Sequence, residues 1–440
     1  MAARPGRGLA LAALAFGASV TLQGCFLSGI IGGGGSADQS HGAGNASQID
    51  SSGPAPAPAA WSLPLATRAW GNGLRLAVRA SPVAAGGEVL QAQELVLDTG
   101  SSTLAFCDSQ FASAVGDAAA TNYISCNQYN PGGAPTGYWG RFFQGPVSIA
   151  GGPMVNDAAY SIMTAQSSMP CENGLQGIFG VAFKQLDLAF SYENLGAKMP
   201  HTCPSQPATD TAEPLMEYIK DGVGSQLLGI HWSGSEGDDT GALYLGDAAR
   251  TNEHYTGGAV VGRAQLGEAG WYDIDVQELE ISSLSRVWDD SNFQCSSSSS
   301  GKACIMDTGT PGVVVPKDVM SFVNELARSG QPLGSLTFTL AGAEGEAPVK
   351  LAFDMQALLD NQWLSAGMGS GIILGLPLWF WYYTVFDIRA GAVEFVATHP
   401  QQSTTTTPMP ADSDWGFGGW RRLSGAGAVA PPAASSPLVV

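Results

Sequence analysis

Charged side chains are scarce in this 440-residue chain, in which Asp, Glu, Lys and Arg make up 13% of the residues, against roughly 25% in an average soluble protein. Basic residues are scarcer still, because 19 Lys and Arg face 38 Asp and Glu, a formal net charge of −19. A chain of this charge with no local basic patch repels polyanions, which excludes a nucleic-acid partner. Hydrophobic residues make up 45% of the chain, enough for a substantial core, so a wholly disordered protein is also excluded.

Several motifs that mark other hydrolases are absent. There is no Gly-x-Ser-x-Gly, which argues against a serine hydrolase. There is no His-Glu-x-x-His, which argues against a metallopeptidase. Cys-x-x-Cys is missing as well, and the five histidines are scattered. We therefore expect no metal site and no cofactor.

Turn-forming residues are abundant: the chain has 58 glycines and 26 prolines. This composition leaves little room for long helices and favours an all-β protein. Short apolar or alternating runs between the turns predict strands at 74–78, 95–97, 142–149, 243–245, 313–315, 336–340 and 382–386. Helices are predicted at 213–220 and at 317–327, the second after Pro316 with apolar residues at helical spacing. The apolar stretch 372–386 contains Gly375 and Pro377 and is too short to span a membrane, so it predicts a pair of buried strands.

The N-terminal residues resemble an export signal, because Arg4 and Arg7 precede an apolar stretch that ends near Val20. Residues 1–24 are therefore predicted to be a signal peptide. Leu22-Gln23-Gly24-Cys25 resembles a bacterial lipobox and predicts lipidation of Cys25, so that a lipid anchor attaches the protein to a membrane. The alternative is an ordinary cleaved secretory peptide. Either way we expect export, to the bacterial cell envelope (periplasmic or outer surface) or to the medium.

Two segments of low complexity flank the part that is expected to fold. Residues 25–60 are rich in Gly, Ala, Ser and Pro and predict a flexible linker. Residues 401–440 have a similar composition and predict a disordered tail. The folded part is therefore predicted to span residues 61–400.

Six cysteines remain after Cys25, an even number in an exported chain, which predicts three disulfides. Six cysteines allow 15 pairings. Proximity in the sequence favours three of the possible pairs: Cys107 with Cys126, Cys171 with Cys203, and Cys295 with Cys304.

One short pattern occurs twice, once in each half of the segment that is expected to fold. The first copy is Leu-Val-Leu-Asp-Thr-Gly-Ser at 95–101, and the second is Cys-Ile-Met-Asp-Thr-Gly-Thr at 304–310. Each copy is followed by an apolar-apolar-Gly element, at 177–180 and at 372–375. An internal repeat of this kind predicts a structure built from two related halves.

The repeated pattern places a carboxylate at the end of a strand. A strand that ends in Asp and then Gly turns sharply, and a following hydroxyl can hydrogen-bond the carboxylate. A single copy is more often only a turn after a strand. Two copies in matched contexts predict that the carboxylates of Asp98 and Asp307 meet. Two carboxylates at so short a distance share one proton. One of them then acts as a general base while the other donates a proton.

Beyond this repeat, the chain resembles the pepsin-like aspartic peptidases over nearly all of residues 61–400, and is similar in kind to a bacterial, lipoprotein-type member. The matching stretches are GIFGVAF at 177–183, GALYLGD at 241–247, Tyr-Thr-Gly at 255–257 and ILGLPLWFWYYTVFD at 373–387. The resemblance implies an all-β, bilobal pepsin-like acid protease fold. Two β-barrel-like lobes, at 61–248 and 249–400, would enclose the active-site cleft. It also implies a monomer that acts on polypeptide substrates.

The resemblance assigns roles to the repeated residues. Asp98 and Asp307 would be the catalytic dyad that holds the attacking water. Support for the dyad would come from Thr99, Gly100 and Ser101 in the first copy and Thr308, Gly309 and Thr310 in the second. The two threonines after the aspartates would brace the two loops against each other. Tyr138 would be the tyrosine of the hairpin flap that closes the cleft.

The sequence departs from the family pattern at four positions. Trp139 follows Tyr138 where the family has glycine, and Ala105 stands where a tryptophan usually bonds the flap tyrosine. Leu376 replaces a common acidic residue, and Pro311 replaces a small hydroxyl residue. The dyad itself is intact. The leading hypothesis is an aspartic endopeptidase, and the alternative is a pepsin-fold lipoprotein that binds polypeptide or glycan with little or no proteolytic activity.

Overall fold

The computed structural model describes most of the chain between residues 60 and 398. The described residues are 60–70, 73–129, 136–167, 171, 174–191, 203, 210–211, 225–267, 270–289, 291, 295, 304–367 and 371–398. Several predictions lie outside them: the signal peptide at 1–24, lipidation of Cys25, the linker up to residue 59, the helix at 213–220 and the tail at 401–440.

Strands dominate the described residues. They are β1 (Trp61–Trp70), β2 (Gly73–Pro82), β3 (Gln93–Asp98), β4 (Leu104–Phe106), β5 (Ala120–Tyr129), β6 (Thr136–Ile149), β7 (Met154–Ser167), β8 (Gly177–Gly180), β9 (Leu188–Ser191), β10 (Asp210–Thr211), β11 (Leu227–Trp232), β12 (Gly237–Leu245), β13 (Ala259–Gly267), β14 (Asp273–Ile274), β15 (Val276–Ile281), β16 (Arg286–Asp289), β17 (Ile305–Met306), β18 (Val313–Val315), β19 (Ser335–Leu340), β20 (Val349–Asp354), β21 (Leu364–Ala366), β22 (Ile373–Leu374), β23 (Tyr382–Asp387) and β24 (Ala392–Ala397).

The helices are short. They are α1 (Gln110–Val115), α2 (Ala248–Thr251), α3 (Glu253–Thr256), α4 (Lys317–Ser329), α5 (Met355–Asp360) and α6 (Pro377–Trp381). None of the helices in the described part of the chain is long and apolar enough to cross a membrane.

All seven predicted strands are confirmed, although most are longer than the apolar run that predicted them. The helix predicted at 317–327 is α4, whose apolar side buries Val319, Val323 and Leu326. The prediction of a strand pair at 372–386 is wrong in one respect, because helix α6 lies between β22 and β23. Pro377 is the first residue of this helix, where its fixed φ and missing N–H favour a helix start.

One antiparallel sheet joins strands from both ends of the folded part. Strand β1 pairs with β12, β12 with β11, and β11 with β23. Strand β23 then pairs with β24, and β24 with β13. Since the first strand and the last strands of the fold share this sheet, it connects the two halves that the repeat predicts.

The two halves carry the same strand arrangement around the repeated motifs. In the first half, β8 lies between β3, to which it is parallel, and β4, to which it is antiparallel, and β4 is parallel to β7. In the second half, β22 lies in the same way between β17 and β18, and β18 is parallel to β21. Each apolar-apolar-Gly element is therefore the strand beside its own Asp-Thr-Gly strand. The predicted duplication is confirmed at the level of topology.

The structure contains three disulfides, and two of the pairings favoured by proximity are wrong. Cys107 pairs with Cys171, and Cys126 with Cys203, while the pair of Cys295 and Cys304 is confirmed. Cys107 and Cys126 belong to different hydrophobic clusters, and each lies in the same cluster as its partner. Cys107 follows β4 and packs against a hydrophobic cluster that contains Tyr138 and Ile178. Cys126 lies on β5 and packs with Ile124 and Phe190. Sheet pairing, not distance along the chain, therefore decides which cysteines meet.

Candidate active site

The two predicted aspartates come together at the centre of the molecule. Asp98 is the last residue of β3, and Asp307 follows β17 directly. Both side chains are buried, with 4% and 1% of the residue surface exposed. The two carboxyl groups lie side by side, because the Oδ1 atoms of both lie within 3.1 Å of the same point beside Gly100.

The glycine of each motif makes this approach possible. A Cβ atom on Gly100 would lie 2.7 Å from Oδ1 of Asp307, and a Cβ atom on Gly309 would lie 2.6 Å from Oδ1 of Asp98. Both distances are shorter than a carbon and an oxygen tolerate without a bond. Any side chain at either position would therefore push the opposite carboxylate away.

The threonines that follow the aspartates join the two motifs with four hydrogen bonds. The backbone N–H of Thr99 donates to Oγ1 of Thr308 at 3.0 Å, and the N–H of Thr308 donates to Oγ1 of Thr99 at 2.9 Å. Each hydroxyl also donates to a carbonyl of the opposite strand, Thr99 to Met306 at 2.9 Å and Thr308 to Leu97 at 2.7 Å. Both threonines are completely buried. The set is symmetric, so neither motif can shift without breaking bonds to the other.

The carboxylates of Asp98 and Asp307 accept matching sets of hydrogen bonds. The N–H of Gly100 donates to Oδ1 of Asp98, and the N–H of Gly309 donates to Oδ1 of Asp307, both at 2.8 Å. The Ser101 hydroxyl donates to Oδ2 of Asp98 at 2.6 Å. Likewise, Thr310 donates to Oδ2 of Asp307 at 2.5 Å. These bonds fix the orientation of both carboxyl groups.

The environment of the pair favours retention of a proton. Burial and, after it, the charge of Asp307 raise the pKa of Asp98 to about 8, against the opposing hydrogen bond from Ser101. Removing two carboxylates from water and placing them in contact makes the doubly ionised state costly. Because the two groups titrate together, the retained proton belongs to the pair.

Tyr138 lies in the predicted hairpin, but its side chain is buried. Strands β5 and β6 form this hairpin, and Tyr138 pairs with Asn127 across it. The ring is completely buried and packs against Ala105, the position where the family has tryptophan. Its hydroxyl accepts a hydrogen bond from Nδ2 of Asn127 at 2.7 Å. Asn127 thus supplies the polar partner for the tyrosine, and the covering role of Tyr138 stays a prediction.

The structure also brings two residues to the site that the sequence did not single out. Trp271 comes from the second half and donates its indole N–H to the carbonyl of Gly100 at 3.0 Å. Arg75 on β2 is buried, and its charge interacts with both Asp307 and Asp98. Neither residue belongs to the repeated motif. Arg75 could have been noticed in the sequence, because a basic residue is unusual inside an apolar strand such as the one predicted at 74–78.

Two buried aspartates in crossed, symmetric Asp-Thr-Gly turns, in a mostly β chain with duplicated topology, define a pepsin-like aspartic proteinase fold. The predicted fold class is confirmed. The chain is similar to the crystal structure of an aspartic proteinase from Irpex lacteus, with a TM-score of 0.54 and 19% identity, and the match covers 79% of this chain and 99% of that one.

The family model for eukaryotic aspartyl proteases matches residues 83–356, a range that includes both aspartates. The chain belongs to this family. No curated protein sequence matches it. The family is therefore known, whereas the finer resemblance to bacterial lipoproteins stays a prediction.

Proposed function

We propose that the protein is an aspartic endopeptidase that hydrolyses peptide bonds with a water molecule activated between Asp98 and Asp307. The ionised carboxylate of the pair takes a proton from the water as its oxygen bonds to the peptide carbon. The protonated carboxyl donates its proton to the carbonyl oxygen. The C–N bond of the resulting tetrahedral species then breaks as the leaving nitrogen takes a proton from the protonated member of the pair. A hydroxyl on the tetrahedral carbon gives its proton to the ionised member, which restores the single shared proton.

The observation that carries this proposal is the matched set of hydrogen bonds on the two carboxylates. General acid–base catalysis requires two carboxyl groups at fixed positions, one of them protonated. The Gly100 and Gly309 N–H groups and the Ser101 and Thr310 hydroxyls orient the two groups identically. The raised pKa of Asp98 favours the shared proton that the reaction needs. A purely structural Asp-Thr-Gly turn requires none of this symmetry between distant parts of the chain.

The proposed setting of the enzyme is outside the cytoplasm. Three disulfides indicate an oxidising, exported environment. We further propose that a lipid on Cys25 tethers the chain to a membrane, with the segment up to residue 60 as the spacer. The substrate is a polypeptide that reaches the dyad between the lobes at 61–248 and 249–400, and the enzyme acts as a monomer.

The proposal is tested with purified protein and a denatured protein substrate, from acid to neutral pH. Cleavage products are identified by mass spectrometry, with and without a peptide inhibitor whose hydroxyl mimics the tetrahedral species. We expect internal cleavage that the inhibitor blocks. Tight inhibitor binding without cleavage at any pH would instead support the alternative, a pepsin-fold protein that binds polypeptide. Cleavage that the inhibitor leaves unchanged would contradict the proposed mechanism.

A further inference from the structure

A buried arginine lies inside the first half of the molecule. Arg75 is on β2, and only 3% of its surface is exposed. Its Nη1 donates to the carbonyl of Leu74 at 2.9 Å, and its guanidinium carbon lies 4.6 Å from the centre of the Trp70 ring. The Nε atom is buried and has no hydrogen-bond partner. Arginine is almost never fully buried unless it is paired, so this residue requires an explanation.

The strand register places Arg75 next to the first motif. In the ladder between β2 and β3, Arg79 lies opposite Glu94 and Ala77 lies opposite Val96. Two residues further along each strand, the same register leads to Arg75 and Asp98. Because side chains alternate between the two faces of a sheet, both residues belong to the face that carries Arg79 and Glu94. Arg75 therefore lies on the same face of the sheet as Asp98, just beyond the last paired residues, Ala77 and Val96.

The second motif borders the same arginine. A Cβ atom on Gly73 would lie 2.4 Å from Cβ of Pro311 and 3.3 Å from Nη1 of Arg75. The guanidinium group of Arg75 and the ring of Pro311 thus both border the space beside Gly73. Pro311 directly follows Thr310, whose hydroxyl holds the carboxylate of Asp307. Arg75 consequently lies close to the residue that follows the second motif as well as on the strand beside the first.

The charge of Arg75 has no direct ionic partner among the described residues. Its neighbour across β1 is Arg68, whose guanidinium group bonds Glu94 and Asp238 instead. Burial lowers the pKa of Arg75 to about 10, and the charges that oppose this shift are those of Asp307 and Asp98. The acidic charges that act on the buried cation are thus those of the dyad, without a direct ion pair.

Other ionisable groups close to the dyad are neutral or already bonded. Burial raises the pKa of the Tyr138 hydroxyl, which stays neutral. The buried carboxylate of Asp187, whose charge acts on Tyr138, accepts a hydrogen bond from the Thr103 hydroxyl at 2.6 Å. Arg75 is a buried cation on which the charges of both dyad carboxyl groups act.

We propose that Arg75 is a positioning residue of the aspartic dyad, in which its buried positive charge stabilises the ionised forms of the two carboxyl groups and so sets the pH range of activity. This inference rests on the proposed function of the dyad. A cation favours the ionised state of a nearby carboxyl group and lowers its pKa. Both limits of the pH profile of kcat/KM therefore lie lower than they would without Arg75.

The test compares three variants of the full chain. Arg75→Met removes the charge and keeps most of the volume, and Arg75→Lys keeps the charge. Arg79→Met removes an arginine from the same strand and face, but Arg79 is half exposed and bonds Glu94. We expect Arg75→Met to move both limits of the pH profile of kcat/KM upwards, by less than the roughly 1 to 3 units that an adjacent opposite charge produces. Arg75→Lys should restore most of this shift, and Arg79→Met should leave the profile unchanged.

A second readout separates this inference from the proposed function. The carboxyl groups of the dyad are titrated by NMR in protein labelled with carbon-13 at aspartate, and the dyad signals are identified by their change in Asp98→Asn. If the wild type does not cleave peptides, the proposed function fails, but the carboxyl titration still tests Arg75. An unchanged titration in Arg75→Met would overturn the inference. So would the failure of both Arg75→Met and Arg75→Gln to fold, because it would show that Arg75 serves the structure and not the charge of the dyad.

Discussion

The hydrogen bonds between Thr99 and Thr308 offer a sharp test of how the two motifs are held together. Replacing Thr308 with valine keeps the shape of the side chain and removes its hydroxyl. The buried N–H of Thr99 then loses its acceptor, and the carbonyl of Leu97 loses its donor. No water reaches these groups, because the threonine pair is completely buried.

The magnitude follows from the two groups that lose their partners. Each buried polar group left without a hydrogen bond costs about 1 to 3 kcal/mol, so the variant should lose about 2 to 6 kcal/mol of unfolding free energy. This is a large part of the 5 to 15 kcal/mol that is typical of a folded domain. Thr308→Ser keeps the hydroxyl and removes one methyl group, so it should lose only about 1 kcal/mol.

The assay is urea unfolding followed by tryptophan fluorescence, together with kcat/KM for each variant that is folded. Thr256→Val is the matched control, because its exposed hydroxyl bonds only the Asn252 carbonyl of its own helix at 2.9 Å. This control should stay within about 0.5 kcal/mol of the wild type. The reasoning is refuted if Thr308→Val loses less than about 1 kcal/mol, or if Thr308→Ser loses as much as Thr308→Val.

Three further predictions concern the rest of the chain. Removing the Cys126 to Cys203 disulfide, whose partners are 77 residues apart, should cost about 4.5 kcal/mol in urea unfolding, whereas removing the disulfide with a separation of 9 should cost about 2.6 kcal/mol. Because burial raises the pKa of Asp98 to about 8, the folded state binds more protons than the unfolded state between about pH 4 and pH 8, so stability should fall as pH rises through this window. Asp98→Asn should flatten that slope, and an unchanged slope would contradict the assignment. Cys25→Ser should release the protein from the membrane fraction, and equal membrane association of both forms would refute the lipid anchor.

The central strands of the fold could be predicted from the sequence because they occur twice. A single Asp-Thr-Gly after a strand is often only a turn. Two copies, each followed by an apolar-apolar-Gly element at 177–180 or 372–375, indicate a duplicated structure. The pairing of β3 with β8 and of β17 with β22 shows why these elements occur together. The internal repeat therefore predicted both the topology and the meeting of Asp98 and Asp307.

What the sequence did not predict depends on contacts that occur only once. Trp271 reaches the Gly100 carbonyl from the other half of the chain, and no second copy of this contact exists in the repeat to reveal it. Arg75 is buried in β2, which pairs with β1 on one side and with the strand of the first motif on the other. Cys107 pairs with Cys171 and not with the nearer Cys126, because Cys107 and Cys126 belong to different hydrophobic clusters. Such pairings depend on the folded arrangement, and distance along the chain is a poor guide to them.

The measurement that tests the central claim most directly is the peptidase activity of Asp98→Asn and Asp307→Asn, compared with Asp318→Asn at an exposed helical position. Each dyad variant removes one carboxyl group that must take up or donate a proton, so each should lose activity by about 10²- to 10⁴-fold or more while remaining folded. The Asp318 variant should retain the activity of the wild type. If either dyad variant cleaves substrate at the wild-type rate, the pair is not the catalytic centre.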